Sequence, residues 1–308
     1  MKTISIVTPC FNEEENLREV YERIQKTMEN LDYEYEHIFI DNASTDRTEE
    51  ILRGLAAQDK HVKVIFNTRN FGHIRSPYYG LLQASGDAAI LMASDLQDPP
   101  EKITEFIHKW EAGYKVVVGI KTHSEEFGLF YILRSLYYRV LRKLSDTQLI
   151  DNFTGFGLYD KKVVELLRGF DDPYPYFRGL IADIGFEYAR IEFTQPKRKR
   201  GISKNNFFSL YDMAMLGVTS YTKIPLRLAA MLGFLSASLS LFIGMLYLIY
   251  KLIDWQNFSL GLAPVIIGLF FMGSVQLFFL GIVGEYIGSI YTLAVRRPLV
   301  IEKERINF

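Results

Sequence analysis

Asp95 and Gln97 stand two residues apart, just after the apolar run Ala88-Ala89-Ile90-Leu91-Met92 and just before Pro99-Pro100. A run of that length and composition reads as a buried parallel strand, and the proline pair stops it from continuing. A carboxylate at the carboxyl end of such a strand lies where open α/β sheets bind ligands. It can equally well cap the helix that begins near Pro100. Three more polar groups occupy the same kind of position. Asn12-Glu13, Asp41-Asn42 and Arg69-Asn70 each follow an apolar run. Any one of them could be a turn or a cap, but four that share one edge of a sheet favour a ligand cleft.

The elements needed to hold these residues can be read around them. Strands are expected at Ile4–Thr8, His37–Ile40, Val62–Phe66, Asp87–Met92 and Lys115–Ile120. Between them, helices are expected from Asn12 to about Glu29, from the Ser44-Thr45-Asp46 cap to about Gln58, near Pro77–Ala84, and from about Pro100. Alternation of this kind implies a mostly parallel, doubly wound α/β sheet. A further helix is expected from Asp160 to about Arg168.

The chain has 308 residues and a net charge of −1, which argues against bulk binding of nucleic acid. Its single cysteine, Cys10, excludes an internal disulfide and gives no zinc pattern. The first residues carry no long apolar stretch of the signal-peptide kind. Between Gly128 and Leu144, apolar residues fall on one helical stripe, with Arg134 and Arg139 elsewhere on the helix. That pattern fits a core helix, or a basic helix lying at a membrane surface. The run Lys197-Arg198-Lys199-Arg200 is either a solvated face or a contact with anionic lipid, and Gly201 with Ser203 and Lys204 offers a flexible phosphate clamp.

Beyond Leu226 the composition changes. Leu228–Tyr250 and Ala263–Gly284 contain no charged residue, and each is long enough to cross a bilayer, which takes roughly 20 residues. Phe207–Tyr221 reads as an interfacial helix leading to them. Lys223 and Arg227 precede the first span, and Arg296, Arg297, Lys303 and Arg305 follow the second. The positive-inside rule then places both termini in the cytoplasm of a multi-pass inner-membrane protein. Gly284 and Gly288 form a G-x-x-x-G spacing that permits close helix packing, including a homo-oligomer through the transmembrane helices. Glu285, near the cytoplasmic end, reads either as functional or as a hydrated anchor.

Thr8-Pro9-Cys10-Phe11-Asn12-Glu13-Glu14-Glu15-Asn16, Asp41-Asn42-Ala43-Ser44-Thr45-Asp46, Arg69-Asn70-Phe71-Gly72-His73 and Asp95-Leu96-Gln97-Asp98-Pro99-Pro100 together resemble the family 2 glycosyltransferases of GT-A fold. More narrowly they resemble the polyprenyl-phosphate glycosyltransferases, which include dolichol-phosphate mannose synthases and bactoprenol glucosyltransferases. The resemblance implies a catalytic domain over residues 1–205, an interfacial helix over 206–225, and a membrane domain over 226–308. That last part would hold transmembrane helices at about 228–250 and 263–290 and a cytoplasmic C-terminal tail. It implies a nucleotide-sugar donor, with UDP favoured, bound by Pro9, Phe11, Asn12, Glu13, Asp41, Asn42, Arg69, Asn70 and Ser94. Asp95 and Gln97 would hold Mg2+ or Mn2+ and the diphosphate, as the catalytic pair. The acceptor, undecaprenyl or dolichyl phosphate, would meet Lys121, Arg134, Arg139, Arg200, Ser203 and Lys204. Asn152-Phe153-Thr154-Gly155-Phe156-Gly157 resembles the loop behind the sugar pocket.

Two positions depart from the family pattern. Asn42 stands where a second aspartate is usual, and Ala93-Ser94-Asp95 lacks the first aspartate of D-x-D. The second departure motivates an alternative, a nucleotide-binding pseudoenzyme. A processive polysaccharide synthase is disfavoured, because Gln195-Pro196-Lys197-Arg198 is not followed by the tryptophan of a Q-x-x-R-W motif and two spans are few for a channel.

Overall fold

Short runs of Val, Ile and Ala with both faces apolar require a sheet covered on both sides. A computed structural model describes residues 1–123, 150–196, 207–253 and 262–308 and shows that sheet. The elements run β1 (Thr3–Cys10), α1 (Leu17–Met28), β2 (Glu34–Asp41), α2 (Thr48–Gln58), β3 (Val62–Asn67), α3 (Gly72–Leu82), β4 (Ala88–Leu91), α4 (Lys102–Glu111) and β5 (Val116–His123). Then come β6 (Phe153–Asp160), α5 (Lys161–Arg168), α6 (Phe177–Asp183), β7 (Tyr188–Thr194), α7 (Phe207–Tyr221), α8 (Ile224–Ile253), α9 (Leu262–Val295) and β8 (Glu302–Ile306). The eight strands lie in the order β7-β5-β6-β4-β1-β2-β3-β8. β6 and β8 run antiparallel to their neighbours, and the other pairings are parallel.

Two apolar layers sandwich the sheet. Ile4, Ile6 and Ile90 pack with Val20 and Ile24 of α1 and Phe106 and Ile107 of α4. Val7, Ile40 and Ile65 pack with Tyr78 and Leu81 of α3 and Val164 and Leu167 of α5. Each such side chain taken fully out of water contributes about 1.5–3 kcal/mol, which is why β1, at the centre, is buried along nearly its whole length. The start of α5 follows the sequence closely, since the Asp160 carboxylate accepts from the Lys162 N–H at 3.0 Å.

The structure corrects the sequence reading in three places. Residues 153–157, read as a loop, open strand β6. Gly157 is needed there, because a Cβ would stand 2.4 Å from the Val117 carbonyl oxygen across the ladder. β7 was not expected. The C-terminal tail, assigned to the membrane domain, returns instead to the catalytic sheet as β8, paired with β3 through Val64–Ile306, Ile65–Arg305 and Phe66–Glu304.

α8 and α9 carry mean hydropathies of 2.0 and 2.3, and none of the residues in their most apolar stretches is buried inside the protein. They are therefore not core helices of a water-soluble fold, and their length and composition suit a bilayer. α7 and the residue after it are fastened to α9. Tyr211 donates to Glu285 at 2.8 Å, and Tyr286 donates to the Thr222 carbonyl at 2.7 Å. A Cβ added at Gly281, Gly284 or Gly288 would meet nothing within 4 Å.

Candidate functional site

The carboxyl ends of β1, β2, β3 and β4 are tied together by side-chain hydrogen bonds. After β1, Asn12 takes a left-handed backbone (φ +55°), its N–H donates to Ser44 Oγ at 2.8 Å, and its Oδ1 accepts from Thr45 N at 2.7 Å. This joins the end of β1 to the end of β2, where Asp41 receives the Ser44 hydroxyl. Burial raises the Asp41 carboxyl above its usual range, against the two hydrogen bonds from Ser44. Glu13 is also buried, and its carboxylate accepts from Asn16 Nδ2 at 2.6 Å. Beneath them Cys10 is 3 % exposed, and burial, with the charges of Asp41 and Glu13 adding, pushes its thiol well up. It is protonated and inert as a nucleophile.

Asn42 uses both ends of its amide. Nδ2 donates to Asn70 Oδ1 at 2.9 Å and to the Gly72 carbonyl at 3.2 Å, while Oδ1 accepts from Phe71 N at 2.8 Å and Asn67 Nδ2 at 3.2 Å. Its role here is to hold the loop after β3. An aspartate could keep the two accepted bonds but not the two donated ones. On that loop Arg69 lies over the Phe71 ring, 4.1 Å from its centroid.

At the end of β4, Ser94 Oγ donates to the Pro9 carbonyl at 2.9 Å, which joins β4 to β1. Leu96 is buried with φ +62°, a conformation that costs a branched residue roughly 1–2 kcal/mol. Its side chain goes into the core, which fixes the turn bearing Asp95 and Gln97. The Gln97 N–H donates to Asp95 Oδ1 at 3.1 Å. Asp98 turns inward and accepts from Ala93 N at 2.9 Å. Burial, with Asp95 adding, pushes Asp98 up to about 7, against the Ala93 N–H and the charge of Lys121. Lys121, near the end of β5, is therefore within electrostatic reach of this turn. Among the described residues no group of three or more His, Cys, Asp or Glu side chains could hold a metal. The donors available at the turn, one carboxylate and one amide oxygen, are hard and few. They fit a cation that keeps most of its shell in water and phosphate oxygens, as Mg2+ does.

Beside the turn is a cavity of about 330 Å³ whose lining includes His73, Ala93, Asp98, Thr154, Tyr176 and Arg178. The structure thus gathers Pro9, Phe11, Asn12, Glu13, Asp41, Asn42, Arg69, Asn70, Ser94, Asp95, Gln97 and Lys121 at one sheet edge. Arg134, Arg139, Arg200, Ser203 and Lys204 lie outside the described residues. Sequence reasoning had not singled out Asp98, His73 or Arg178. Asp98 and His73 were in view inside their motifs, whereas Arg178 gave only the signal of a lone cation among aromatic residues.

The model of "Glycosyl transferase family 2" matches residues 5–168, and that of the "GtrB C-terminal hairpin" matches residues 224–290. The chain is 35% identical to the bactoprenol glucosyl transferase of Shigella phage SfV over 97% of its own length and 98% of that protein. It is also 35% identical to the uncharacterized glycosyltransferase YkcC of Bacillus subtilis (strain 168), over 96% of this chain and 92% of that one. Among solved structures it resembles glucosyl-3-phosphoglycerate synthase from Mycobacterium tuberculosis, in complex with Mn2+, UDP and phosphoglyceric acid. That match has a TM-score of 0.51 at 19% identity over 71% of this chain and 76% of that one, a likeness of fold.

Proposed function

The chain belongs to glycosyl transferase family 2, and on that premise we propose that it is a membrane-anchored enzyme that moves one sugar from a nucleotide sugar to a polyprenyl phosphate. The relatives named bactoprenol glucosyl transferase, similar along nearly the whole chain, support the lipid-phosphate acceptor. The observation that carries the reading is the union of two features in one chain. A strand-end cleft of Asp, Asn and Arg side chains sits on a sheet whose edge strand, β8, is reached only through an apolar helical hairpin. A sugar acceptor in water would need no such hairpin.

In this reading Pro9, Phe11, Asn12, Glu13, Asp41, Arg69 and Asn70 form the nucleotide end of the cleft, with Asn42 and Ser94 holding its loops. Asp95 and Gln97 would hold a divalent cation, Mg2+ or Mn2+, which when bound neutralises charge developing on the departing diphosphate. Lys121 faces the acceptor, whose phosphate has a second pKa of about 6 and so is largely dianionic at neutral pH. One of its oxygens attacks the anomeric carbon. The bond from that carbon to the nucleoside diphosphate breaks, its electron pair leaves with the diphosphate, and configuration inverts. No proton has to be removed from the nucleophile, so no protein base is required.

The cleft and both chain ends lie in the cytoplasm of a multi-pass inner-membrane protein, where soluble nucleotide sugars are found. The pairing of β8 with β3 supports this, because it keeps both ends of the hairpin on the side of the sheet. The test is to incubate the purified protein with undecaprenyl phosphate, MgCl2 or MnCl2, and a panel of nucleotide sugars beginning with UDP-glucose, then extract the lipid. A lipid-linked monosaccharide is expected. No lipid product from any donor overturns the reading, and a long polymer would indicate a synthase.

A further inference from the structure

The loop after β3, Arg69-Asn70-Phe71, is held from two directions. From the end of β2, Asn42 bonds to Asn70 and to the Phe71 N–H. The other hold comes from residues that follow the apolar hairpin in the chain. Thr68 stands immediately before the loop, and its N–H and its hydroxyl both donate to the Ile301 carbonyl, at 2.9 and 3.1 Å. α3 begins immediately after the loop, at Gly72, and from that helix Tyr79 donates to Glu302 Oε1 at 2.8 Å. Two successive residues of the C-terminal segment therefore fasten both arms of the loop.

The register of β8 makes this contact. Val64, Ile65 and Phe66 pair with Ile306, Arg305 and Glu304, but Asn67 then pairs with Glu302, so Lys303 is an extra residue on β8. Such a bulge bends and re-aims the strand that carries it. Without it Thr68 would stand opposite Glu302. With it Thr68 stands opposite Ile301, whose carbonyl takes both donors. Lys303 itself reaches Glu49 of α2 at 3.3 Å. Past the strand, Asn307 takes a left-handed backbone (φ +62°), and its Nδ2 donates to the carbonyls of Ala56 and Val62 at 2.7 and 2.8 Å. Before the strand, Val300 is buried and Leu299 packs against the layer that holds Tyr78 and Leu81. Leu299 to Asn307 is thus a strap fixed at both ends, and the loop sits between it and Asn42.

Resting on the proposed function, we infer that Thr68 is a positioning residue for the nucleotide sugar. Through the Ile301 carbonyl, the strap sets the Arg69–Phe71 loop in its binding conformation before the donor arrives. A loop free to move has to be ordered when its ligand binds, and that ordering is subtracted from affinity. Bonds already made to the strap remove the loss. None of Thr68, Tyr79, Ile301 and Glu302 lines the cavity beside the Asp95 turn, so loosening the strap is felt by the donor and not by the acceptor. The part of the chain that follows the membrane hairpin thereby sets donor affinity.

Initial rates are measured in detergent with UDP-glucose, or whichever donor the wild type uses, varied at saturating undecaprenyl phosphate. The roles are then reversed, and each protein is also taken through a thermal scan. Thr68→Val keeps the shape of the side chain and removes its hydroxyl. It should raise the donor KM roughly 3- to 10-fold, the scale of one lost hydrogen bond, and leave the acceptor KM unchanged. Thr68→Ser keeps the hydroxyl and should return the donor KM to the wild-type value. Tyr79→Phe cuts the second tie and should raise the same parameter, which keeps the inference refutable if the valine variant misfolds. A donor KM unchanged in both Thr68→Val and Tyr79→Phe overturns it, whether or not the melting midpoint falls, since a strap that only stabilises would move the midpoint alone. A serine variant no better than the valine one, or a rise shared equally by the acceptor KM, also overturns it. A wild type that glycosylates no lipid with any donor overturns the proposed function instead, and this inference with it.

Discussion

Replacing Asn42 by aspartate, the residue that the family resemblance leads one to expect there, should damage this protein. The side chain is 6 % exposed and makes four hydrogen bonds, two of them donated, to Asn70 Oδ1 and the Gly72 carbonyl. Aspartate has no donor to offer. Rotation of the Asn70 amide could satisfy one aspartate oxygen, but Asn70 Oδ1 also accepts the Gly72 N–H at 2.7 Å, and that bond would then be lost. At least two polar groups thus lose a partner, at about 1–3 kcal/mol each, partly offset by stronger accepted bonds from Phe71 and Asn67. The net expectation is about 2–4 kcal/mol. For a domain of this size that lowers the melting midpoint by roughly 5–15 °C. Thermal unfolding of Asn42→Asp in detergent, beside the donor KM, reads both consequences, because the loop it holds carries Arg69 and Asn70. A variant as stable as the parent, with the same donor KM, would refute the account of why asparagine stands here.

Asp95→Ala should lower formation of the lipid-linked sugar by at least about 100-fold with the fold intact, and an unchanged rate would remove Asp95 from the mechanism. Ala43 has φ +59°, and Ala43→Gly should raise stability by up to about 1 kcal/mol in thermal unfolding, since relief of the left-handed strain outweighs the added chain entropy; a loss of stability would count against strain there. His37 is fully buried, with burial lowering its pKa to about 3, so the unfolded chain binds a proton between about pH 6.5 and 3 that the folded chain does not. Stability therefore falls as pH drops through that window, by about 2–3 kcal/mol at pH 4.5 from this residue, and His37→Gln should flatten the difference between pH 7 and pH 4.5. Equal acid sensitivity in the two proteins would show that other groups govern it.

The parallel half of the sheet was legible because its strands are runs such as Ile4-Ser5-Ile6-Val7 and Ala88-Ala89-Ile90-Leu91, apolar on both faces, and because polar residues mark their carboxyl ends. The antiparallel strands were not. β6 contains Gly155 and Gly157, which read as a loop, but Gly155 supplies a left-handed backbone (φ +107°) and Gly157 allows close approach of the neighbouring strand. β8 is Glu-Lys-Glu-Arg-Ile and has no apolar face to announce it. Its attachment is ionic and polar, through Arg53–Glu304, Lys303–Glu49 and Tyr79–Glu302. In the site, motif residues could be placed at the sheet edge, but the reason for Asn42 could not. It depends on which groups of the next loop its amide reaches. Arg178 lies outside every motif and comes to the site through the packing of its segment, Phe177 on Tyr78 and Tyr159 and Tyr176 on Tyr221.

The return of residues 302–306 to the sheet also orders the assembly of the protein in time. β3 cannot be covered until both apolar helices have been synthesised, because the strand that covers it follows them in the chain. Thr68, next to the Arg69–Gly72 loop, is likewise held by the Ile301 carbonyl, to which its N–H donates at 2.9 Å and its hydroxyl at 3.1 Å. A hairpin inserted with one crossing too few would strand that segment across the bilayer, leaving an open sheet edge and an unanchored loop. In the orientation proposed above, completion of the sheet would therefore require both crossings, and a chain lacking one would expose the β3 edge to proteases.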